Sequence, residues 1–196
     1  HWRTRYAAST SGRGEIGFKV SRSNSVLAIA NCPVLIPEID FPTLPLGDIG
    51  ANKRVEVAFS STGERSIAVL EARTERTEQR SKAKIIEGGA SLTYSAADRD
   101  YRVSQSAFWQ SNLNAPQSLV DAVLEFADFK SGEHLLDLYG GVGLFAGAAL
   151  PLLGAGGRID IVEGSSVATD DARFNFQGAS NVFIHTGDVA REIKKF

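Results

Sequence analysis

The 196 residues carry 21 Lys plus Arg against 23 Asp plus Glu, a formal charge of −2, with 43% hydrophobic residues and a single Cys. That apolar share is enough to bury a core and excludes disorder as the dominant state. The longest apolar run, Leu144 to Leu153, is interrupted by Gly147 and Pro151 and falls far short of the roughly 20 residues a membrane-spanning helix needs.

No signal-peptide pattern is present, and one Cys supplies neither an internal disulfide nor a Cys-rich zinc or iron–sulfur site. A reducing cytoplasm is therefore the expected compartment, with no membrane and no metal. The chain starts at His1 and contains no Met, which suggests a piece of a longer protein. Its charge is unevenly spread: residues 1 to 102 hold 15 basic and 12 acidic side chains, residues 103 to 196 hold 6 and 11. The basic part is the better place for a polyanion, with Arg3, Arg5, Arg13, Lys19 and Arg22 against Glu15 alone in the first 30 residues. A solvated strand face would carry the same charges.

In chain order, Trp2 to Ser9, Gly17 to Val20 and Ser25 to Ala30 read as strands, with Gly12 to Gly14 as a turn. Cys32-Pro33 ends that unit, and Pro37, Pro42 and Pro45 punctuate a segment ending near Asp48, with Ile39 to Leu46 covering the sheet as an irregular or short helical piece. Strands resume at Arg54 to Phe59, Ser66 to Ala72 and Ala83 to Glu87, with Gly63 in a hairpin turn and a polar loop from Arg73 to Lys82. From Asn114, a candidate N-cap, the period becomes helical: Pro116, Leu119, Val120, Val123, Leu124 and Phe126. His134 to Tyr139 then reads as a buried strand, Leu144 to Leu153 as a helix, Arg158 to Glu163 as a strand, Ser166 to Gln177 as a helix and Asn181 to Thr186 as a strand. This alternation is the first half of an open parallel sheet, so the fold class is α/β with a β-rich N-terminal part. Expected boundaries are 1–100 for the β-rich domain, 101–130 for a linker motif and helix, and 131–196 for a partial Rossmann-like domain.

The strongest local signal is Asp137-Leu138-Tyr139-Gly140-Gly141-Val142-Gly143, followed by Glu163 at the end of the next strand. Glycines let the backbone turn sharply and approach a ligand, the following helix offers free N–H groups, and the acid can accept from both ribose hydroxyls. Gly141, Gly143 and Ala146 satisfy G-x-G-x-x-G/A with Glu163 spaced for a ribose, so this motif alone leaves NAD and S-adenosylmethionine both open. The strand context favours the second, because a cofactor without a pyrophosphate tolerates Asp137 and Tyr139 just upstream of the glycines. Asp188, after the third strand, is placed to accept from an adenine amino group or to cap the next helix.

Tyr101-Arg102-Val103-Ser104-Gln105-Ser106-Ala107-Phe108-Trp109-Gln110-Ser111-Asn112, followed some 30 residues later by Asp137-Leu138-Tyr139-Gly140-Gly141-Val142-Gly143, resembles the RNA uracil-C5 methyltransferase family. Trp2-Arg3-Thr4-Arg5, Gly17-Phe18, Arg22-Ser23 and Cys32-Pro33 resemble its central β domain, so the likeness covers nearly the whole chain. The resemblance implies a class I methyltransferase sheet, S-adenosylmethionine as cofactor and structured RNA as substrate, with ribosomal (23S) RNA favoured over tRNA. Residue by residue, it implies cofactor contacts from Gln110, Asp137, Tyr139, Gly141, Gly143, Glu163 and Asp188. It further implies a base pocket involving Phe108, while Trp109 reads as packing between two domains. Arg3, Arg5, Arg22 and Arg102 are the candidates for RNA phosphates, the alternative being that they serve surface solubility. Gly140 stands where many members have Cys, and Leu144 where some have Asn.

Members of this family use a Cys that adds to uracil C6 and a carboxylate that removes the C5 proton. Neither is recognisable here, so no catalytic residue is assigned and the chain alone is expected to be inactive. Cys32 has no nearby group to stabilise a thiolate and reads as structural. His1, His134 and His185 read as too scattered for a metal site, and Asp170-Asp171 with Arg173 as a solvated helix face. The expected activity is methyl transfer to C5 of a uridine in RNA; the alternatives are a non-catalytic RNA-binding module and a fragment of an NAD-dependent oxidoreductase.

Overall fold

The computed structural model describes residues 1–45, 47, 49–71 and 83–196. These form two units, His1–Leu92 with Ser111–Leu113, and Thr93–Gln110 with Asn114–Phe196. The loop expected over Arg73 to Lys82 and the segment end at Asp48 lie outside the described residues.

The first unit is a six-stranded antiparallel sheet made of β1 (Arg5–Thr10), β2 (Ile16–Lys19), β3 (Val26–Ala28), β4 (Lys53–Phe59), β5 (Arg65–Glu71) and β6 (Lys84–Glu87), ordered β3-β2-β1-β4-β5-β6. Alternation places Tyr6, Ala8 and Thr10 of β1 inward, and Val55 and Val57 of β4 beside them. Two short 3-10 turns, Pro37–Ile39 and Phe41–Thr43, lay Ile39 and Phe41 into this core. There the rings of Tyr6, Phe18 and Phe41 meet edge to face, with centroids 5.5 to 6.1 Å apart. Asp40 fixes the turn by accepting from the N–H groups of Cys32 and Phe41 at 2.9 and 2.8 Å. The Cys32 side chain packs against the same core.

The second unit contains α1 (Ala115–Ala127), β9 (His134–Leu138), α2 (Leu144–Leu153), β10 (Arg158–Glu163), α3 (Ser166–Asn175), β11 (Val182–Thr186) and the short α4 (Val189–Glu192). The strands pair in parallel, in the order β11-β10-β9. One face of β10, Ile159 and Ile161, packs under Ala146, Ala149 and Leu153 of α2 and under Phe176 beyond α3. The parallel register and the buried apolar runs are those expected of a sheet in an α/β unit.

A two-stranded ribbon of β7 (Ser91–Ala96) and β8 (Arg99–Ser104) was not foreseen. Its turn, Ala97-Asp98, has φ of +53° and +54°, the left-handed pair of a type I′ turn. Such turns normally announce themselves by Asn or Gly, and this one does not. Asn114 sits at the N-cap of α1, but its side chain makes no capping hydrogen bond; Pro116 is in the first turn as anticipated. No helix among the described residues is long and apolar enough to cross a membrane.

Two expectations are corrected. Asp170 does lie on a solvated face, paired with Arg173 at 2.9 Å, but Asp171 is fully buried. A helix changes face every residue, and Asp171 is on the side of α3 that packs against β8. His134 and His185 are not scattered: both reach the buried Asp160, each at 2.7 Å, because β9 and β11 flank β10. The Asp160 oxygens also bind the Arg158 guanidinium, at 2.6 and 2.9 Å. No cluster suited to a metal ion occurs among the described residues.

Candidate cofactor site

The carboxyl ends of β9, β10 and β11 meet at Glu163. Its backbone carbonyl accepts from Gly187 N–H at 3.0 Å, Oε2 accepts from Gly141 N–H at 3.1 Å, and Oε1 accepts from Ser165 N–H at 2.7 Å. One acid therefore joins the three loops that follow the parallel strands, which is where open α/β sheets bind ligands. Each carboxylate oxygen has two lone pairs, so both keep capacity for a ligand hydroxyl.

The loop itself is conformationally demanding. Gly141 and Gly143 have φ of +58° and +93°, and a Cβ on Gly141 would meet nothing within 4 Å, leaving open space against the backbone. Tyr139 also adopts φ +58° and is 75% exposed. A non-glycine residue in this region is strained by roughly 1 kcal/mol, and such strain concentrates at functional sites. At Gly140 the constraint is space: a Cβ would lie 2.7 Å from Ile161 Cγ2 and 3.0 Å from the Asp137 carboxyl. A side chain at this place would force Ile161 or Asp137 to shift.

Asp137 is buried, and its Oδ2 accepts from Ala146 N–H at 3.1 Å, in the first turn of α2. Burial, aided by the charge of Glu163, pushes its carboxyl up to about 6, against the lowering effect of that single hydrogen bond. The amino end of α2, which would attract a pyrophosphate, thus already faces a carboxylate. This arrangement disfavours a dinucleotide and suits a cofactor carrying an ammonium and a sulfonium.

Asp188 caps α4, its Oδ1 accepting from Arg191 N–H at 3.1 Å, so the capping reading left open by the sequence is realised. Phe108 and Gln110 belong to this same unit, on the segment after β8, and Phe108 is 72% exposed. Trp109, read as packing between two domains, instead packs within the second unit against Tyr94 and Tyr101, at centroid distances of 5.0 and 5.6 Å. The candidate RNA cations are divided. Arg3, Arg5 and Arg22 lie in the first unit, where Arg3 stacks on Trp2 at 5.5 Å and Arg22 sits in an exposed turn at φ +58°. Arg102, in the second, pairs with Asp171 at 3.3 Å and lies over the Phe174 ring at 4.8 Å. Sequence reasoning missed Asp171 and Asn175, whose partners are about 70 residues away along the chain.

No family model matches the chain. It is 29% identical over 204 residues to an uncharacterized RNA methyltransferase of Streptomyces avermitilis, covering 96% of this chain and 47% of that protein. It is 24% identical over 214 residues to the 23S rRNA (uracil(1939)-C(5))-methyltransferase RlmD of Shewanella piezotolerans, covering 92% of this chain and 47% of that one. The fold is shared with the crystal structure of Pyrococcus abyssi tRNA (uracil-54, C5)-methyltransferase in complex with S-adenosyl-L-homocysteine: TM-score 0.70 at 17% identity, over 95% of this chain and 55% of that one. The chain spans about half the length of the curated relatives it matches. Across nearly all of its own length, then, the chain is related to RNA methyltransferases, uracil-C5 methyltransferases among them.

Proposed function

We propose that this chain forms the cofactor side of an S-adenosylmethionine-dependent enzyme that methylates C5 of a uridine in RNA, with 23S ribosomal RNA favoured over tRNA. The observation that carries the reading is the Glu163 carboxylate, held by Gly141 and Ser165 N–H groups at the mouth of a loop whose helix already faces Asp137. The name of the Shewanella relative supports ribosomal RNA.

When bound, the cofactor supplies an electrophilic methyl on a sulfonium. Glu163 accepts from its ribose hydroxyls, and the second oxygen of Asp188 accepts from the adenine amino group. Asp137 faces the cationic end, where a nearby ammonium returns its carboxyl to the ionised form. Tyr139, Gly141 and Gly143 shape the cleft and Gln110 adds a polar contact. Phe108 stacks on the target base, while Arg3, Arg5 and Arg22 hold phosphates. Arg102 does so only by sharing the charge it now gives Asp171. Cys32 is packed in the first unit and is not offered as the nucleophile; the chain alone is expected to transfer no methyl group.

Titration calorimetry with S-adenosylhomocysteine and with NAD tests this, with Glu163→Ala as the comparison. The expected result is binding of the former, weakened about tenfold or more when two ribose hydrogen bonds are lost, and none of the latter. Binding of NAD overturns the reading in favour of an oxidoreductase. Undiminished binding by Glu163→Ala removes the acid from the site, and silence with both ligands refutes the claim that these residues suffice for the cofactor.

A further inference from the structure

The outer edge of β8 is bonded by the side chains of α3 instead of by another strand. Asn175 Oδ1 accepts from Arg102 N–H at 2.8 Å, and Asn175 Nδ2 donates to Arg102 O at 3.0 Å, so one side-chain amide answers both backbone groups as a neighbouring strand would. One helical turn earlier, Asp171 accepts from Ser104 N–H at 2.6 Å and from Ser104 Oγ at 2.9 Å. Residues 102 and 104 present their N–H groups on the same edge of a strand, and positions 171 and 175 lie on the same face of a helix.

The second proton of Asn175 Nδ2 goes elsewhere, to Val142 O at 3.1 Å, inside the glycine loop. The amide thus makes three hydrogen bonds, tying β8 to the loop between β9 and α2 through one rigid planar group. Two further contacts tighten the same joint. Tyr101 OH donates to Leu144 O at 3.1 Å, and a Cβ on Gly147 would lie 2.3 Å from that hydroxyl, so α2 approaches Tyr101 as closely as a glycine permits. Beyond β8, Ala107 N–H donates to Ser104 O at 2.9 Å and Trp109 is held between Tyr94 and Tyr101. The segment that carries Phe108 and Gln110 is therefore pinned at both ends, its near end on α3.

We infer that Asn175 is a positioning residue: through Val142 and Arg102 it sets the cofactor loop and the Phe108–Gln110 segment in one fixed register. This rests on the reading of the loop as a cofactor site, but its geometry is testable without a ligand. Without the amide, Val142 O and both backbone groups of Arg102 lose their partner, and the loop and the segment become free to shift independently.

Hydrogen exchange is followed over residues 138–145 and 102–110 in the parent chain, Asn175→Ala, Asn175→Asp and the solvent-facing neighbour Asp170→Ala. Val120→Ala, at a buried position of α1, controls for general destabilisation. The expectation is about tenfold faster exchange in both segments for the two Asn175 variants, with β10 changed no more than in Val120→Ala, and no change for Asp170→Ala. S-adenosylhomocysteine affinity is expected to fall about tenfold in Asn175→Ala, and further in Asn175→Asp, whose carboxylate would face two carbonyl oxygens. Uniform acceleration across the unit, or unchanged loop exchange, overturns the inference. Failure of the parent chain to bind the ligand overturns the functional reading instead, and leaves the exchange result to decide the positioning role. Should the variants not fold, the unaltered chain decides: both Asn175 side-chain amide protons must be protected and couple to the Val142 and Arg102 carbonyls, and free exchange with water refutes the proposal.

Discussion

The two units bury different chemistry. Among the described residues, the buried polar side chains of the first are the hydroxyls of Thr4, Thr10, Ser60 and Ser66, while the second buries, besides Gln105 and Thr169, the carboxyl groups of Asp137, Asp160 and Asp171. A hydroxyl satisfied by one backbone group costs little to bury; a carboxylate needs several donors or a cation. The three acids are answered unequally. Asp160 has an arginine and two histidines, Asp171 has the Ser104 backbone and hydroxyl plus Arg102, and Asp137 has, among the described residues, the single donor Ala146 N–H. The well-answered acids hold elements together, and the poorly answered one lies at the glycine loop. Degree of satisfaction, more than burial itself, separates scaffold from site.

Removing Asp160 gives the largest expected effect. Asp160→Ala would leave Arg158, His134 and His185 without their shared partner, at a cost of about 3 kcal/mol, the low end for a broken buried pair. The low end applies because those three side chains are 30 to 48% exposed and can be rehydrated. Trp109 is buried in the second unit and Trp2 lies in the first, so urea unfolding of the Trp2→Phe form reads the second unit alone. Against burial, which raises it, hydrogen bonds from Arg158, His185 and His134 and the Arg158 charge together hold the Asp160 carboxyl down to about 2. A lowered carboxyl contributes stability above its unfolded value near 4, and loses it as pH falls toward 2. The variant should lack that acid limb; an unchanged limb would show that Asp160 is not the clamp.

Asp137 should behave in the opposite sense. Its carboxyl is raised to about 6, so between about 4 and 6 the folded state binds the extra proton and stability rises as pH falls. Asp137→Asn removes that dependence and should stabilise the ligand-free second unit at pH 7 by about 1 to 2 kcal/mol, less than the full linkage because the amide must still satisfy its own donors. The same change should weaken S-adenosylhomocysteine binding. A variant destabilised at pH 7 would place Asp137 with the scaffold acids and erase the contrast.

How much of this was legible follows the range of the interactions. Periodicity and glycine spacing placed β9, α2 and β10 within a residue or so, because local pattern and local structure coincide there. The glycine loop and Glu163 were legible for the same reason: consecutive strands in a parallel sheet bring their carboxyl ends together by topology. The β7–β8 ribbon was not legible, since Ala97-Asp98 carries no turn signature. Asp171 and Asn175 were invisible as functional residues because their partners, Ser104 and Arg102, are fixed by how α3 packs on β8 and by nothing local. Asp160 carries no signal of its own in the sequence; the sheet order puts a histidine on each side of it.

The smallest expected effect completes the comparison from the side of the first unit. Lys53 and Glu71 pair across β4 and β5 at 2.5 Å, with side chains 28 and 70% exposed. Water and salt already answer both charges, so Glu71→Gln should change stability by less than about 0.5 kcal/mol and lose even that at high ionic strength. Arg65 is the sharper case in the same sheet. It pairs with Glu87 across β5 and β6, and its Nη1 also donates to the Glu38 carbonyl at 2.9 Å, tying the sheet to the first 3-10 turn. Arg65→Gln should therefore cost more than Glu71→Gln, about 1 kcal/mol, because it leaves a carbonyl partner as well as a charge. Unfolding of the Trp109→Phe form, read through Trp2, measures both. A loss at Glu71→Gln rivalling that at Asp160→Ala would mean that charge pairing sustains each unit in the same way, and that the apolar core around Tyr6, Phe18 and Phe41 is not what sustains the first.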